Sequence, residues 1–418
     1  MGRSFHLAPD NYVSPKNPID RWLSEHICRL MISNARTAIA TDSGNQNRNN
    51  AEFVLAPPRW WTALKMLIAP NLWVGESYAA GSWYLKKGSL TDFLEVTRAE
   101  APPVFRNYFE FTRALRGFRY YLSQYVLNKW YTRKVRKHYE IDSTIYEAIL
   151  DNEMIYTCAF FDNAAQDLES AQQAKLSLAI SRLDLPFGPA KVLDIGCGWG
   201  ATARAIVRQN PNAEVCGLSI SRSQIDWATA RDSATLTMDQ QRRIKYRVQD
   251  YVDHGAERAY DAIIVIGMIE HVGLGGYPTF FRNVHSFLKP GGTAVIHTIV
   301  SPTPAEPGNR WIDKHIFTGG YAPSISELVK AIEVQRFQIT ALHLHRPENY
   351  RRTIQCWLEN FVANENIIAH HLRSEGESEP EIARFIRIWH FYLSAVRNMF
   401  SDTDLRSHQV VQACIKKR

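Results

Sequence analysis

The stretch Lys191-Val192-Leu193-Asp194-Ile195-Gly196-Cys197-Gly198-Trp199-Gly200 constrains this chain more than any other. An apolar run ending at an acid reads as a buried strand. Glycine at every second place then breaks it, and Ala201 to Gln209 is compatible with a helix. A strand, a glycine loop and a helix in succession let the backbone approach a ligand closely and point helix N–H groups at it.

From about residue 138 onward helical and strand patterns alternate, the sign of an α/β layer architecture. Leu168 to Leu183 reads as an amphipathic helix. Strand candidates follow at Lys191–Ile195, Glu214–Leu218, Ile244–Val248, Ala262–Ile266 and Thr293–Ile299, the last entered through a tight turn, Leu288-Lys289-Pro290-Gly291-Gly292. Parallel strands joined by helices predict a doubly wound, mostly parallel, Rossmann-like sheet that binds ligands at its strand C-terminal ends. Residues 325–345 are expected to supply later strands, and 355–400 a helical lid or insert. Upstream, 1–50 reads as a polar, irregular extension. Residues 51–103 read as a small accessory domain, with a helix at Trp60–Leu67, a turn-rich aromatic stretch at Gly75–Tyr84 and a helix at Thr91–Glu100.

Residues 104–137 read as a linker, and its charge is the most unusual in the chain. It holds nine Lys or Arg against one acid, Glu110, which accounts for the whole net charge of +7. The bases alternate with aromatic residues such as Tyr108, Phe109, Tyr120, Tyr121, Trp130 and Tyr131. That mixture suits an anionic bilayer surface, where rings sit at the interface and cations meet phosphates. A nucleic-acid footprint looks similar, and so does a solvated connecting helix that packs its rings inward. The six cysteines form no CxxC pair, so neither a disulfide framework nor a metal site is expected, and a reducing cytoplasm is the default. No stretch approaches the roughly 18 apolar residues of a membrane span, and Met1–Pro9 lacks the apolar core of a signal peptide.

The loop spacing is GxGxG rather than GxGxxG. The strand at 214–218 runs into Ser219 and Ile220, without the acid that would hold a nicotinamide ribose. Asp250 ends the next strand, placed for the exocyclic amine of an adenine. These residues also have plainer readings: a tight turn with positive φ for Gly196, Gly198 and Gly200, and a helix cap for Asp250. Together, the apolar-Asp-apolar-GxGxG run, the strand-ending Asp250 and the LKPGG turn resemble a class I S-adenosylmethionine-dependent methyltransferase.

The resemblance narrows further along the chain. Tyr156-Thr157-Cys158-Ala159-Phe160-Phe161, the run Asp167–Lys175, Gly267-Met268-Ile269-Glu270-His271-Val272-Gly273, Ile296-His297-Thr298-Ile299 and Asn349-Tyr350 stand in an order and spacing similar to the cyclopropane-fatty-acyl-phospholipid synthases and mycolic acid cyclopropane synthases. The likeness runs from about 137 to 410, making 138–418 the catalytic domain. Gly75-Glu76-Ser77-Tyr78 and Gly81-Ser82-Trp83 resemble the N-terminal domain of the longer phospholipid enzymes. The resemblance implies that S-adenosylmethionine is held by Tyr156, Thr157, Asp194, Gly196, Gly198, Gly200, Ser219, Ile220, Gln224, Asp250 and Tyr251. It implies a bicarbonate ion beside the reacting methyl group, held by Cys158, Glu270, His297, Tyr350 and the backbone around Ile299.

The implied reaction adds a methylene group to the cis double bond of an acyl chain in a membrane phospholipid. The alternative is methylation without ring closure. The implied partner is an anionic phospholipid membrane rather than nucleic acid, with peripheral attachment to the inner face of the membrane and a family tendency toward homodimers. Two departures stand out. The family's His-Tyr-Asp motif is His138-Tyr139-Glu140 here, and Val396 stands where phospholipid enzymes often carry a cysteine.

Overall fold

The computed structural model describes residues 9, 11–32, 36–40, 51–100, 143–304, 308–402 and 407–418. The basic aromatic linker at 104–137 lies outside the described residues. Contacts divide the chain into two compact units. One comprises Met1–Arg116, Asn309–Ile316 and Trp357–Met399; the other comprises Gly117–Gly308, Phe317–Cys356 and Phe400–Arg418. The helical segment expected as an insert on the α/β domain is thus grouped with the N-terminal elements.

In the first unit, strands β1 (Thr37–Ile39), β2 (Phe53–Ala56) and β3 (Tyr84–Lys87) form a three-stranded sheet, with β1 parallel and β3 antiparallel to β2. Residues 1–50 are not irregular throughout, because Pro18–Met31 is a helix. Asn17 caps it by accepting from the Asp20 N–H at 2.8 Å, Pro18 opens it, and Asp20, Ser24 and Cys28 form its buried face. Its apolar residues Ile19, Trp22, Leu23, Ile27 and Leu30 keep a helical period, but Ile19, Trp22 and Leu30 are exposed and the buried face is largely polar. The stretch expected to be turn-rich is half helix, Pro70–Ala79. Gly75 lies inside that helix because a Cβ there would stand 2.7 Å from Trp311 Nε1 and 2.8 Å from Phe391. Close packing explains this glycine, whereas Gly81, with φ of 70°, makes the turn.

In the second unit, β4 (Ala190–Ile195), β5 (Ala213–Ser219), β6 (Ile244–Val248), β7 (Tyr260–Ile266), β8 (Leu288–Val300), β9 (Phe337–His345) and β10 (Gln409–Lys417) form one sheet in the order β6-β5-β4-β7-β8-β10-β9. All pairs from β6 to β8 are parallel, and β10 runs antiparallel between β8 and β9. This is the doubly wound, mostly parallel α/β fold expected. Helix Tyr277–Phe287 buries Tyr277, Phe280, Phe281, Val284 and Phe287 against one face, joined by Leu328 and Ile332 of helix Ile325–Val334. Each fully buried phenylalanine contributes about 1.5–3 kcal/mol. The other face carries helices Leu168–Ser181 and Ala201–Gln209 through Leu176, Ile180 and Ile206.

Three local expectations change. The 325–345 region yields one strand, β9, after a helix whose start is fixed by a Ser324/Glu327 capping box. The LKPGG turn is a loop inside β8: pairing jumps from Tyr260–Leu288 to Ala262–Thr293, Gly291 takes φ of 76°, and Lys289 Nζ holds Asp261 at 2.7 Å. Strand β10 was not foreseen. It closes the sheet beside β8 and brings a further side chain to the site.

Candidate active site

The glycine loop leaves the C-terminal end of β4. Gly196, Gly198 and Gly200 have φ of 82°, 52° and 82°, a region that disfavours any side chain. The N–H groups of Gly196 and Cys197 both donate to Leu218 O at 2.9 Å, so the loop is tied to the neighbouring strand. It borders a cavity of about 550 Å³ at the strand ends. Of the residues expected to hold S-adenosylmethionine, Tyr156, Thr157, Gly196, Gly198, Ser219, Ile220, Gln224, Asp250 and Tyr251 line this cavity. Two other expected residues do not. Gly200 caps the following helix and backs onto Tyr246 and Ala228. Asp194 is buried beneath the loop.

Asp250 has the capping role and also borders the cavity. Its Oδ1 accepts from the Val252 N–H at 3.1 Å, capping a short turn, while the residue lines the cavity. Ser219 Oγ donates to Gln224 Oε1 at 2.8 Å and accepts from the Ser221 N–H, which fixes the polar edge near β5. Helix Leu168–Ser181 supplies two residues that had no assigned role. Lys175 Nζ donates to Thr157 Oγ1 at 2.9 Å, and Gln172 Nε2 donates to Thr157 O at 2.9 Å. Both side chains are fully buried. Two polar residues three apart on an otherwise apolar helix face were the available signal.

Burial sets the charges here. The Asp194 carboxyl is pushed up to about 7 by burial, against the pull of nearby Lys175, and its Oδ2 has no hydrogen-bond partner. Burial also brings the Lys175 ammonium down to about 8.

The residues expected at the reacting wall stand apart from this cavity lining but largely together. Cys158, Phe160 and Val410 form a buried cluster, with Ile299 and Tyr350 packed on it. Helix Pro347–Ala363 pins the adjoining segment from both sides of Tyr350: Asn349 Oδ1 accepts from the Phe161 N–H at 3.1 Å, and Thr353 Oγ1 from the Ala159 N–H at 3.0 Å. Glu270, in the turn after β7, accepts from the Ile299 N–H through Oε1 at 2.8 Å, while Oε2 is buried with no partner. His297 lies two residues before Ile299, on the same face of β8. Its Nδ1 meets Gln412 Nε2 at 3.1 Å, which orients the ring. The Cys158 thiol donates to Ala159 O at 3.3 Å.

Burial drives Glu270, Cys158 and His297 toward their neutral forms. Burial raises Glu270, with the Ile299 N–H opposing, and raises the Cys158 thiol. It holds His297 well below the usual histidine range, assisted by the positive fields of Lys175, His345 and Arg182.

The sheet order, the glycine loop after β4 and the strand-end cavity, with Ser219 rather than an acid at the end of β5, are those of a class I S-adenosylmethionine-dependent methyltransferase. Residues 128–410 match the family described as mycolic acid cyclopropane synthetase, and the chain belongs to that family. It is 33% identical over 352 residues to the cyclopropane-fatty-acyl-phospholipid synthase of Escherichia coli K12, covering 83% of this chain and 84% of that one. Cyclopropane mycolic acid synthase 3 of Mycobacterium tuberculosis is 32% identical over 248 residues, 56% of this chain and 83% of its own. Among solved structures, the cyclopropane synthase MmaA2 from Mycobacterium tuberculosis superposes with a TM-score of 0.59 at 27% identity, covering 68% of this chain and 98% of that one. The mycolic acid cyclopropane synthase CmaA1 complexed with SAH and CTAB gives 0.58 at 26% identity, covering 68% and 97%.

Proposed function

We propose that this chain transfers a methylene group from S-adenosylmethionine to the cis double bond of an unsaturated acyl chain in a membrane phospholipid, using a bound bicarbonate to complete the cyclopropane ring. The observation that carries the reading is Glu270. One carboxyl oxygen is committed to the Ile299 N–H, and the other is buried without a partner beside a wall of neutral groups. A buried polar atom without a partner costs on the order of 1–3 kcal/mol, so its retention marks a place where a hydrogen-bonding ligand belongs.

The cavity fits S-adenosylmethionine, with Gly196 and Gly198 on its lining in left-handed backbone, so that no side chain stands between the loop and a ligand. Thr157, held by Lys175 and Gln172, ties the cavity lining to adjacent Cys158. An alkene is a neutral nucleophile. It requires alignment and a dry surround rather than prior deprotonation. Its π pair forms the bond to the sulfonium methyl carbon as the C–S pair departs with sulfur, which leaves a carbocation on the acyl chain. Ring closure then removes a proton from the added methyl group, and the C–H pair becomes the third side of the ring.

Burial disfavours the charged forms of Glu270, His297 and Cys158, which makes each a poor site for a full charge beside the acyl chain. A bicarbonate ion held here would supply the base and a negative charge near the developing cation. Glu270 through Oε2, His297 and Tyr350 are the residues that would hold it, with Cys158 and Ile299 bounding the pocket and excluding water.

Among the described residues no helix is long and apolar enough to cross a membrane. We assign docking on the bilayer to the basic aromatic segment 104–137, whose nine bases and interleaved rings suit an anionic surface.

The test is lipid mass spectrometry of cells expressing the chain on methionine with a trideuterated methyl group. Ring formation loses one deuterium of the three, whereas a product retaining all three overturns the cyclopropane reading in favour of methylation. Purified enzyme should also lose turnover in CO2-free buffer and regain it on adding bicarbonate. An unchanged rate there removes the ion from the mechanism.

A further inference from the structure

We propose that Gln412, oriented by Arg182, is a positioning residue that fixes the proton of His297 on Nε2. The argument is one of donors and acceptors. Arg182 Nη1 donates to one terminal atom of the Gln412 amide. A guanidinium has donors only, so that atom is the amide oxygen. The amide nitrogen is thereby turned toward His297, where it lies 3.1 Å from Nδ1. An NH2 group donates, so Nδ1 presents its lone pair. A neutral imidazole carries a single N–H, which must then sit on Nε2.

The fold enforces each step. His297 and Gln412 are direct partners in the antiparallel pairing of β8 with β10, so both side chains rise from one face of the sheet. Both are buried, Gln412 completely. Arg182 ends helix Leu168–Ser181, and its Nη1 also stands 3.3 Å from His345 Nε2 on β9. Phe160 closes the remaining side, with ring centres 3.8 Å from His345 and 5.7 Å from His297. The charged or titratable groups felt by His297 are Lys175 and Arg182 from the helix and its end, and His345 from β9; all three oppose a second proton on the ring. Among the described residues no hydrogen bond occupies His297 Nε2, so its N–H is free to donate to a ligand.

The consequence for catalysis rests on the oxyanion reading of the wall. A His297 with its proton on Nδ1 would offer Nε2 as a lone pair and repel an oxyanion that the native tautomer attracts.

The experiment is imidazole 15N–1H correlation spectroscopy on the full chain with labelled histidine, the His297 signals being identified by their loss in a His297→Gln variant. Expected in the native protein are an unprotonated Nδ1 and a protonated Nε2. In Gln412→Glu the carboxylate accepts from Nδ1–H, so the two nitrogen shifts should exchange. The kcat should then fall at least tenfold, with KM for S-adenosylmethionine within twofold.

A native His297 protonated on Nδ1 overturns the proposal without any variant. So does a Gln412→Glu protein with unchanged nitrogen shifts. Exchanged shifts with undiminished kcat uphold the tautomer assignment and instead remove His297 from oxyanion binding.

Discussion

Gly196→Ala tests how closely the loop is fitted to its surroundings. A Cβ at Gly196 would lie 2.6 Å from Met268 Cγ and 2.8 Å from Met268 Cβ, atoms too near the backbone to swing aside. Ordinary contact requires about 3.5 Å or more, so Met268 or the loop must move by roughly 0.7–1 Å. The loop resists, because the N–H groups of Gly196 and Cys197 both bond Leu218 O. A left-handed alanine adds about 1–2 kcal/mol of backbone strain, and the overpacking about 1–3 kcal/mol, for a cost of about 2–5 kcal/mol. Gly196 and Met268 both line the cavity, so the displacement falls on the ligand. Calorimetric titration should show at least a tenfold loss of affinity for S-adenosylmethionine. Gly255→Ala is the control. It carries a similar φ of 63°, meets nothing within 4 Å and lies off the cavity lining, so it should lose about 1–2 kcal/mol of stability with unchanged affinity. The reasoning is refuted if Gly196→Ala binds within twofold of native and melts together with Gly255→Ala.

Three further outcomes are expected. Glu270→Gln keeps the size of the side chain and its acceptor for the Ile299 N–H but offers a donor where Oε2 stood, so turnover should drop at least 100-fold with the affinity for S-adenosylmethionine retained; equal losses in both would place Glu270 in the cofactor site instead. Arg204 is fully buried, with Nε 2.6 Å from Glu153 and Nη1 3.0 Å from Asp232, so Arg204→Met should destabilise the fold by about 3–5 kcal/mol through uncompensated acids, and an unfolding midpoint equal to native would contradict that. Asp194 has its folded carboxyl raised to about 7 from 3.8, so its contribution to stability is full below about 4 and lost as pH rises through 7; an entering sulfonium cation favours the carboxylate and disfavours the Lys175 ammonium, so affinity for S-adenosylmethionine should climb from pH 6 to 8.5, more steeply than for the neutral thioether product, and parallel curves for the two would dismiss the coupling.

The cofactor half of the site was legible because it is local. In an α/β sheet the residues just past each strand end converge on one crevice, so finding β4, β5 and β6 in the sequence also found Gly196, Ser219 and Asp250. The GxGxG spacing carried its own geometry, since every second residue there needs a positive φ. Helix Pro18–Met31 was legible from the spacing of Ile19, Trp22, Leu23, Ile27 and Leu30; what periodicity would have misplaced is its buried face, which is polar, with Asp20 accepting from the Trp60 N–H and Ser24 donating to Pro58 O while Ile19, Trp22 and Leu30 are exposed. Gly75 misled for a related reason: a glycine chosen for close approach of Trp311 looks, in one dimension, like a glycine chosen for a turn.

The supports of the wall belong to another kind of information. Gln412 reaches His297 across 115 residues of chain, and only the register of β10 on β8 brings them together. Because side chains alternate between sheet faces, a slip of one residue would set Val411 opposite His297 and send Gln412 to the far side of the sheet. The register is held by what the two faces demand. Val411, Ala413 and Ile415 enter the apolar core shared with helix Tyr277–Phe287, and Val410 enters the small cluster with Cys158 and Phe160. Burial of the odd-numbered residues on one face therefore places a polar even-numbered one, Gln412, where Arg182 and His297 both reach it. The apolar alternation that stabilises the sheet thus also orients the imidazole, and a variant that weakens the core at Val411 or Ala413 should disturb the His297 tautomer before it unfolds the protein.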